Sequence, residues 1–218
     1  MSRESKKSKK ERISRIVSAL EELYPDAECA LEYDGEPWRL LVMGRLSAQC
    51  KDERVNLICK ELFSEYPTPD SLAGAEVERV KQIIFSCGLY EKKARDIISC
   101  CSRLVNVYNS VLPDTMEELL TFDGVGRKVA NLLLGDIYKK PAVVVDTHCI
   151  RISRRLGLVE PYIKQPEKIE KILSVLIEPE KQSDFCHRIV LLGREYCPAK
   201  KYDCSVCPMA ELCRKVKV

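Results

Sequence analysis

Residues 115–138 read TMEELLTFDGVGRKVANLLLGDIY. The stretch breaks into a short helix, a tight turn at Asp123-Gly124-Val125-Gly126, and a second helix with apolar residues at Val129, Leu132, Leu133 and Ile137. Two glycines in such a turn let successive backbone N–H groups converge at a helix start, where geometry and partial charge together favour an anion. A phosphate diester is the natural occupant. A turn of this kind also serves a purely structural role, and the stretch alone leaves both readings open.

The helical period continues on both sides of this hairpin. Ile13, Ile16, Val17, Leu20 and Leu23 form one apolar stripe, and Val55, Ile58, Cys59, Leu62, Phe63 and Tyr66 form another. Ala94, Ile97, Ile98, Cys101, Leu104, Val105 and Tyr108 repeat the pattern, as do Ile169, Ile172, Leu173 and Leu176. Pro25, Pro67, Pro69, Pro113, Pro141, Pro161 and Pro179 fall between such segments, while Pro37 and Pro166 sit at first-turn positions. Only Ala142–Val145 resembles a strand, and it is too short and isolated to build a sheet. The expected fold is all-α, with about ten helices and short connections.

A chain of 218 residues accommodates one large or two small domains. Its 45% hydrophobic content suffices for a core and argues against disorder. No apolar run approaches the ~18–20 residues a membrane helix requires. The polar, basic start MSRESKKSKKER lacks the apolar stretch of a secretory signal, so a cytosolic location is expected, or a nuclear one if the source has a nucleus. The net charge is only +3, yet residues 1–12 carry six basic against two acidic side chains, and residues 186–218 seven against three. Basic ends suit a polyanionic partner, or are simply solvated tails.

Twelve cysteines do not suggest disulfides in such a location. Cys29, Cys50, Cys59, Cys87, Cys100, Cys101, Cys149 and Cys186 lie among apolar residues and read as small buried hydrophobes. The remaining four, Cys197, Cys204, Cys207 and Cys213, are crowded into CPAKKYDCSVCPMAELC at spacing C-x6-C-x2-C-x5-C. Four-cysteine zinc sites usually come as two C-x2-C pairs on separate turns. One pair flanked by single cysteines better suits an iron–sulfur cluster with one ligand per iron, zinc being the alternative. Lys200 and Lys201, between the first two cysteines, would then be held at fixed positions suited to phosphate contact.

Lys128 directly follows the hairpin turn. Further on, Asp146 ends the apolar run Ala142–Val145, and Thr147 begins a basic stretch with Arg151, Arg154 and Arg155. A carboxylate emerging from apolar surroundings needs a partner or a task. A helix N-cap is the simplest one.

Together these features resemble endonuclease III, of the helix-hairpin-helix DNA glycosylase superfamily. Four signatures fall in family order: Leu46-Ser47-Ala48-Gln49; Gly88-Leu89-Tyr90; Gly124-Val125-Gly126-Arg127-Lys128 with Val145-Asp146-Thr147-His148; and the four cysteines. The resemblance runs from about residue 13 to 214. It implies a six-helix barrel lobe over 30–140, with the helix-hairpin-helix at about 115–138. A second lobe would combine 1–29 with 141–218 and carry a [4Fe–4S] cluster on loop 197–213. It further implies a monomeric base-excision enzyme that removes oxidised pyrimidines from double-stranded DNA and cuts at abasic sites.

By the same resemblance, Lys128 is the nucleophile and Asp146 its catalytic partner. Gln49 and Leu89 fill the space left by the extruded base, and Gly124, Val125, Gly126, Arg127, Thr147, Lys200 and Lys201 contact DNA. Attack requires a neutral amine, which burial and Arg127 would favour and Asp146 would oppose. Adenine-mismatch glycosylases of the superfamily usually lack such a lysine and carry a further C-terminal domain. Lys128, and an end five residues after Cys213, favour the bifunctional glycosylase–lyase. A non-catalytic iron–sulfur DNA-binding protein is the other alternative. The family often has Leu-Pro where this chain has Phe122-Asp123. A carboxylate there should repel phosphate, so Asp123→Pro is expected to tighten DNA binding at low salt.

Overall fold

The computed structural model describes residues 5–215, the Lys6 side chain apart. Arg3 of the basic N-terminal run and Lys217 of the C-terminal one lie outside the described residues. The described residues form eleven α-helices and one 3-10 turn, with no strand. The helices are α1 (Lys6–Leu23), α2 (Pro37–Leu46), α3 (Asp52–Glu65), α4 (Pro69–Ala73), α5 (Val77–Ile83), α6 (Tyr90–Tyr108), α7 (Met116–Leu119), α8 (Arg127–Asp136), α9 (Thr147–Arg155), α10 (Pro166–Leu176) and α11 (Gln182–Glu195), and the 3-10 turn spans Pro179–Lys181. The apolar run ending at Val145 is buried as irregular backbone rather than as a strand, with the Val144 N–H donating to Cys186 Sγ at 3.2 Å. No described helix is long and apolar enough to cross a membrane.

Proline positions follow from the missing N–H, which a helix tolerates only in its first turn. Pro37 and Pro166 open helices as expected; Pro69 and Pro179 do so as well, rather than separating segments.

The chain divides into a continuous unit, Cys29–Tyr138, and a discontinuous one made of residues up to Glu28 and from Lys139 on. In the continuous unit, α6 packs on α2, α4 and α5, burying Ala94, Ile97, Cys100, Cys101 and Leu104. Helix α2 is buried from Leu40 through Leu46. Its Gly44 lets α8 approach so closely that a Cβ there would lie 2.9 Å from Val129 Cγ1. Beneath this apolar packing runs a polar seam between α2 and α6. Arg45 Nη2 meets Asp96 Oδ2 at 2.6 Å, and Lys93 Nζ, fully buried, donates to the carbonyl of Leu46 at 2.8 Å. The second bond satisfies a carbonyl that the end of α2 leaves without a helical partner. Unpaired, any of these charges would oppose folding.

In the discontinuous unit, α11 packs against α1 and α9 around Ile13, Ile16, Leu20, Ile152, Phe185, Ile189 and Leu192. Arg12 of α1 reaches across the chain to the carbonyls of Leu156 (2.8 Å), Gly157 (3.2 Å) and Leu212 (3.1 Å). Of the eight cysteines outside the crowded segment, six are buried, but Cys29 and Cys50 are only half-buried. Period alone cannot tell a helix interior from the loops where those two sit.

Candidate nucleic-acid interface

The hairpin turn is built on the polar seam of the continuous unit. Gly124 has φ +72°, a conformation that penalises any side chain, and a Cβ there would lie 2.1 Å from Arg45 Nε and 2.6 Å from Asp96 Oδ2. Glycine at 124 is thus demanded from inside. Gly126 differs: a Cβ would meet nothing within 4 Å, so its outer side is open. Val125 turns inward, with its side chain buried and its N–H donated to the Phe122 carbonyl at 3.1 Å. Of the expected DNA-contact residues, Val125 thus directs neither its N–H nor its side chain outward.

Asp123 also departs from expectation. Its Oδ2 accepts from Ser99 Oγ of α6 at 2.5 Å, which directs the carboxylate toward α6.

Helix α8 then starts at Arg127 without a side-chain cap and without an acidic residue in its first turn. Placing Arg127 and Lys128 at the positive end of a helix dipole is unfavourable for the helix, by ~0.3–1 kcal/mol per charge, and favourable for a bound anion. Lys128 is exposed and makes no hydrogen bond or ion pair among the described residues. The burial expected of a nucleophilic amine is therefore absent, and water must be stripped from it by whatever binds there.

Gln49 and Leu89 stand on neighbouring loops of the same unit. Both are exposed and both have left-handed backbone, φ +56° and +59°, which costs a non-glycine residue about 1–2 kcal/mol. Leu89, 59% exposed, is not a core residue. The loops touch: the Cβ position at Gly88 lies 3.7 Å from the Gln49 carbonyl, and Cys50 Sγ lies 3.7 Å from Cys87 Sγ. Lys93, at the foot of both, fixes the end of α2 from which the Gln49 loop departs.

The remaining candidates belong to the discontinuous unit. Asp146 is the N-cap of α9, its Oδ1 accepting from the Cys149 N–H at 2.7 Å. Capping occupies one carboxylate oxygen and fixes the direction of the other, which has no hydrogen-bond partner among the described residues. Thr147, first in α9, is exposed, as are Lys200 and Lys201.

Cys197, Cys204, Cys207 and Cys213 line one cavity of about 120 Å³, otherwise walled largely by apolar side chains including Ile152, Leu156, Leu192 and Met209. Among the described residues no three Cys, His, Asp or Glu side chains come together closely enough to share a single ion. Arg155 secures the entry of the loop: Nη1 donates to Cys197 Sγ (3.2 Å) and the Pro198 carbonyl (2.8 Å), and Nη2 to the Ala199 carbonyl (3.2 Å). Its guanidinium stacks 4.0 Å from the Tyr202 ring. Burial pushes the Cys207 and Cys213 thiols up, so metal binding there would release protons.

Residues 42–179 match the HhH-GPD superfamily of base excision DNA repair proteins. An endonuclease III from a Synechocystis species is 41% identical over 207 residues, spanning 94% of this chain and 93% of that protein. The chain belongs to the endonuclease III family. It is a base-excision enzyme of the glycosylase and abasic-site lyase class. Two solved endonuclease III structures superpose closely. One is a trapped covalent intermediate with DNA, at TM-score 0.88 and 38% identity, covering 94% of this chain and 96% of that one. The other is a non-covalent DNA complex, at TM-score 0.89 and 38% identity, covering 94% and 95%.

Three side chains that shape these sites carry no motif: Lys93, Asp96 and Arg155. One left a trace in the sequence, since Lys93 stands four residues before Ile97 of the apolar stripe of α6, where a charge calls for a buried partner; Asp96 is out of phase with that stripe. Arg155 reads as one more charge in a basic stretch.

Proposed function

We propose that the protein excises oxidised pyrimidines from duplex DNA and cleaves the resulting abasic site with Lys128 as nucleophile. The observation that carries this reading is the Lys128 side chain: an exposed, unpartnered amine at the second position of a helix whose start is open to phosphate. The similarity to an endonuclease III trapped covalently on DNA supports it.

A base inside the stack hides its glycosidic carbon, so it must be extruded first. Leu89 would enter the stack as an apolar wedge and Gln49 would make polar contact with the orphaned partner base. The outward side of Gly126, the α8 amides and Arg127 would hold a phosphate, with Gly124 shaping the turn. Thr147, Lys200 and Lys201 would contact backbone from their own unit.

The neutral amine of Lys128 attacks C1′. The C1′–N bond breaks, the base leaves with the bonding pair, and a proton must reach it. The new secondary ammonium loses a proton, and its nitrogen pair then breaks the C1′–O4′ bond. O4′ leaves with the bonding electrons and takes up a proton, and a protonated imine results. That imine acidifies C2′–H, so β-elimination expels the 3′ phosphate. Asp146 is assigned the stabilisation of positive charge developing on the sugar, with the free oxygen that capping leaves it.

Cys197, Cys204, Cys207 and Cys213 would hold a [4Fe–4S] cluster. The four thiols share one cavity, and one C-x2-C pair flanked by single cysteines suits such a cluster better than zinc. When bound, the cluster ties the ends of the basic loop together.

Borohydride reduction on abasic-site duplex tests the nucleophile. Wild type should be trapped covalently and Lys128→Gln should not; trapping that survives the substitution overturns the assignment. A duplex panel of thymine glycol, 5-hydroxycytosine, uracil and adenine opposite 8-oxoguanine tests the substrate class, with turnover expected on the first two.

A further inference from the structure

Two thiols lie where the Gln49 and Leu89 loops meet. Cys50 follows Gln49 directly, Cys87 precedes Leu89 by two residues, and their sulfurs are 3.7 Å apart. Cys50 is half-buried and reachable from solvent, whereas Cys87 is buried. The mechanism uses neither. A disulfide needs the sulfurs at about 2.05 Å, so the pair stands in contact but short of bonding distance. Cys59, buried, is the third thiol of this cluster and interacts with both, whereas Cys149 and its neighbour Cys186 are both buried.

We propose that Cys50 and Cys87 form a reversible disulfide that locks the Gln49 and Leu89 loops together and weakens DNA engagement. The oxidant is a hydroperoxide. The Cys50 thiolate attacks the peroxide oxygen; the O–O bond breaks, giving a sulfenic acid at Cys50 and hydroxide, which takes up a proton. The Cys87 thiolate then attacks the Cys50 sulfur; the S–S bond forms, the S–O bond breaks, and the departing hydroxide is protonated. Two thiols and one hydrogen peroxide become one disulfide and two waters. Burial, and after it the neighbouring Cys50, push the Cys87 thiol up to about 11 while Lys93 and Arg54 oppose that shift, which makes Cys87 the slower, resolving partner.

The consequence follows from where the bond would lie. Both intruding residues already hold left-handed backbone, and a cross-link between residues next to them removes the freedom to adjust as they enter a base stack. This effect on DNA rests on the assignment of Gln49 and Leu89 above; the disulfide itself does not.

The test treats the cofactor-loaded protein with stoichiometric hydrogen peroxide while its visible absorbance is followed. It is then digested without reductant for mass spectrometry, and binding to abasic-site duplex is measured in parallel. A Cys50–Cys87 linked peptide should appear, binding should weaken about tenfold, and dithiothreitol should reverse both. Cys50→Ser, a mild change at a half-buried position, and Cys87→Ser should each bind normally when reduced and resist peroxide. Separate alkylation of Cys50 and Cys87 after peroxide, equal inactivation of the variants, or a disulfide that leaves binding unchanged would overturn the proposal. Full activity of reduced Gln49→Ala and Leu89→Ala would instead overturn the intrusion reading and leave the mass spectrum untouched.

Discussion

At the scale of single residues, the two glycines of the hairpin do different work. Gly124 is held by positive φ and by the Arg45–Asp96 pair directly beneath it, so Gly124→Ala must strain the backbone and displace a buried ion pair. A loss of about 3–5 kcal/mol in urea unfolding is expected, the range for disturbing such a pair. Gly126→Ala has no such conflict and should change stability by less than ~1 kcal/mol, yet weaken duplex binding, because the methyl group occupies the side left open for phosphate. Equal destabilisation of the two variants would show that the turn is merely structural. Leu89→Gly separates fold from function in the same way. It relieves a left-handed leucine, so stability should hold or rise by ~1 kcal/mol while excision falls.

At the scale of elements, α8 and the turn before it explain why Asp123 does little harm. Its carboxylate faces Ser99 on α6 rather than the amides of the turn. Asp123→Asn and Asp123→Pro should therefore change duplex affinity less than about twofold at 0.15 M salt, where exposed charges are screened beyond ~8 Å. Clear tightening would mean that the carboxylate swings toward phosphate in solution. On α9, capping by Asp146 means that Asp146→Ala confounds helix stability with catalysis. Asp146→Asn keeps an acceptor for the Cys149 N–H and removes the charge, so turnover should fall with little change in melting temperature.

At the scale of the whole molecule, buried thiols set the alkaline limit. Burial pushes Cys87 up to about 11 and Cys100 up to about 12, and raises Cys59 and Cys101 as well. Each raised thiol contributes stability that is complete below its unfolded value near 9 and is lost as pH climbs toward the folded one. The loss is about 1.4 kcal/mol per pH unit per thiol. Lys93, lowered first by burial and then by Arg45, acts in the opposite sense, but it is one group against several. Urea midpoints should fall steeply between pH 9 and 11, and less so in Cys100→Ala measured against its own midpoint at pH 8. A flat profile would place those thiols in contact with water. Stripping the cluster proposed at Cys197, Cys204, Cys207 and Cys213 should raise amide exchange in residues 197–213 and the adjoining α9 and α11, while α6 of the continuous unit keeps its protection.

Helix content, the hairpin, the candidate nucleophile and the cysteine spacing were all legible in the chain itself. Each is a short-range pattern: apolar residues three and four apart, glycines two apart, ligands within one loop. Tertiary structure decided what lies beneath and between them. Arg45 finds Asp96 across 51 positions, Lys93 finds the Leu46 carbonyl across 47, and Arg155 finds Cys197 across 42. The same holds for the inward turn of Val125, the exposure of Lys128 and the meeting of Cys50 with Cys87. A helical period specifies which face is buried but not what it is buried against, and the partner of a buried charge or thiol is chosen only when distant segments pack.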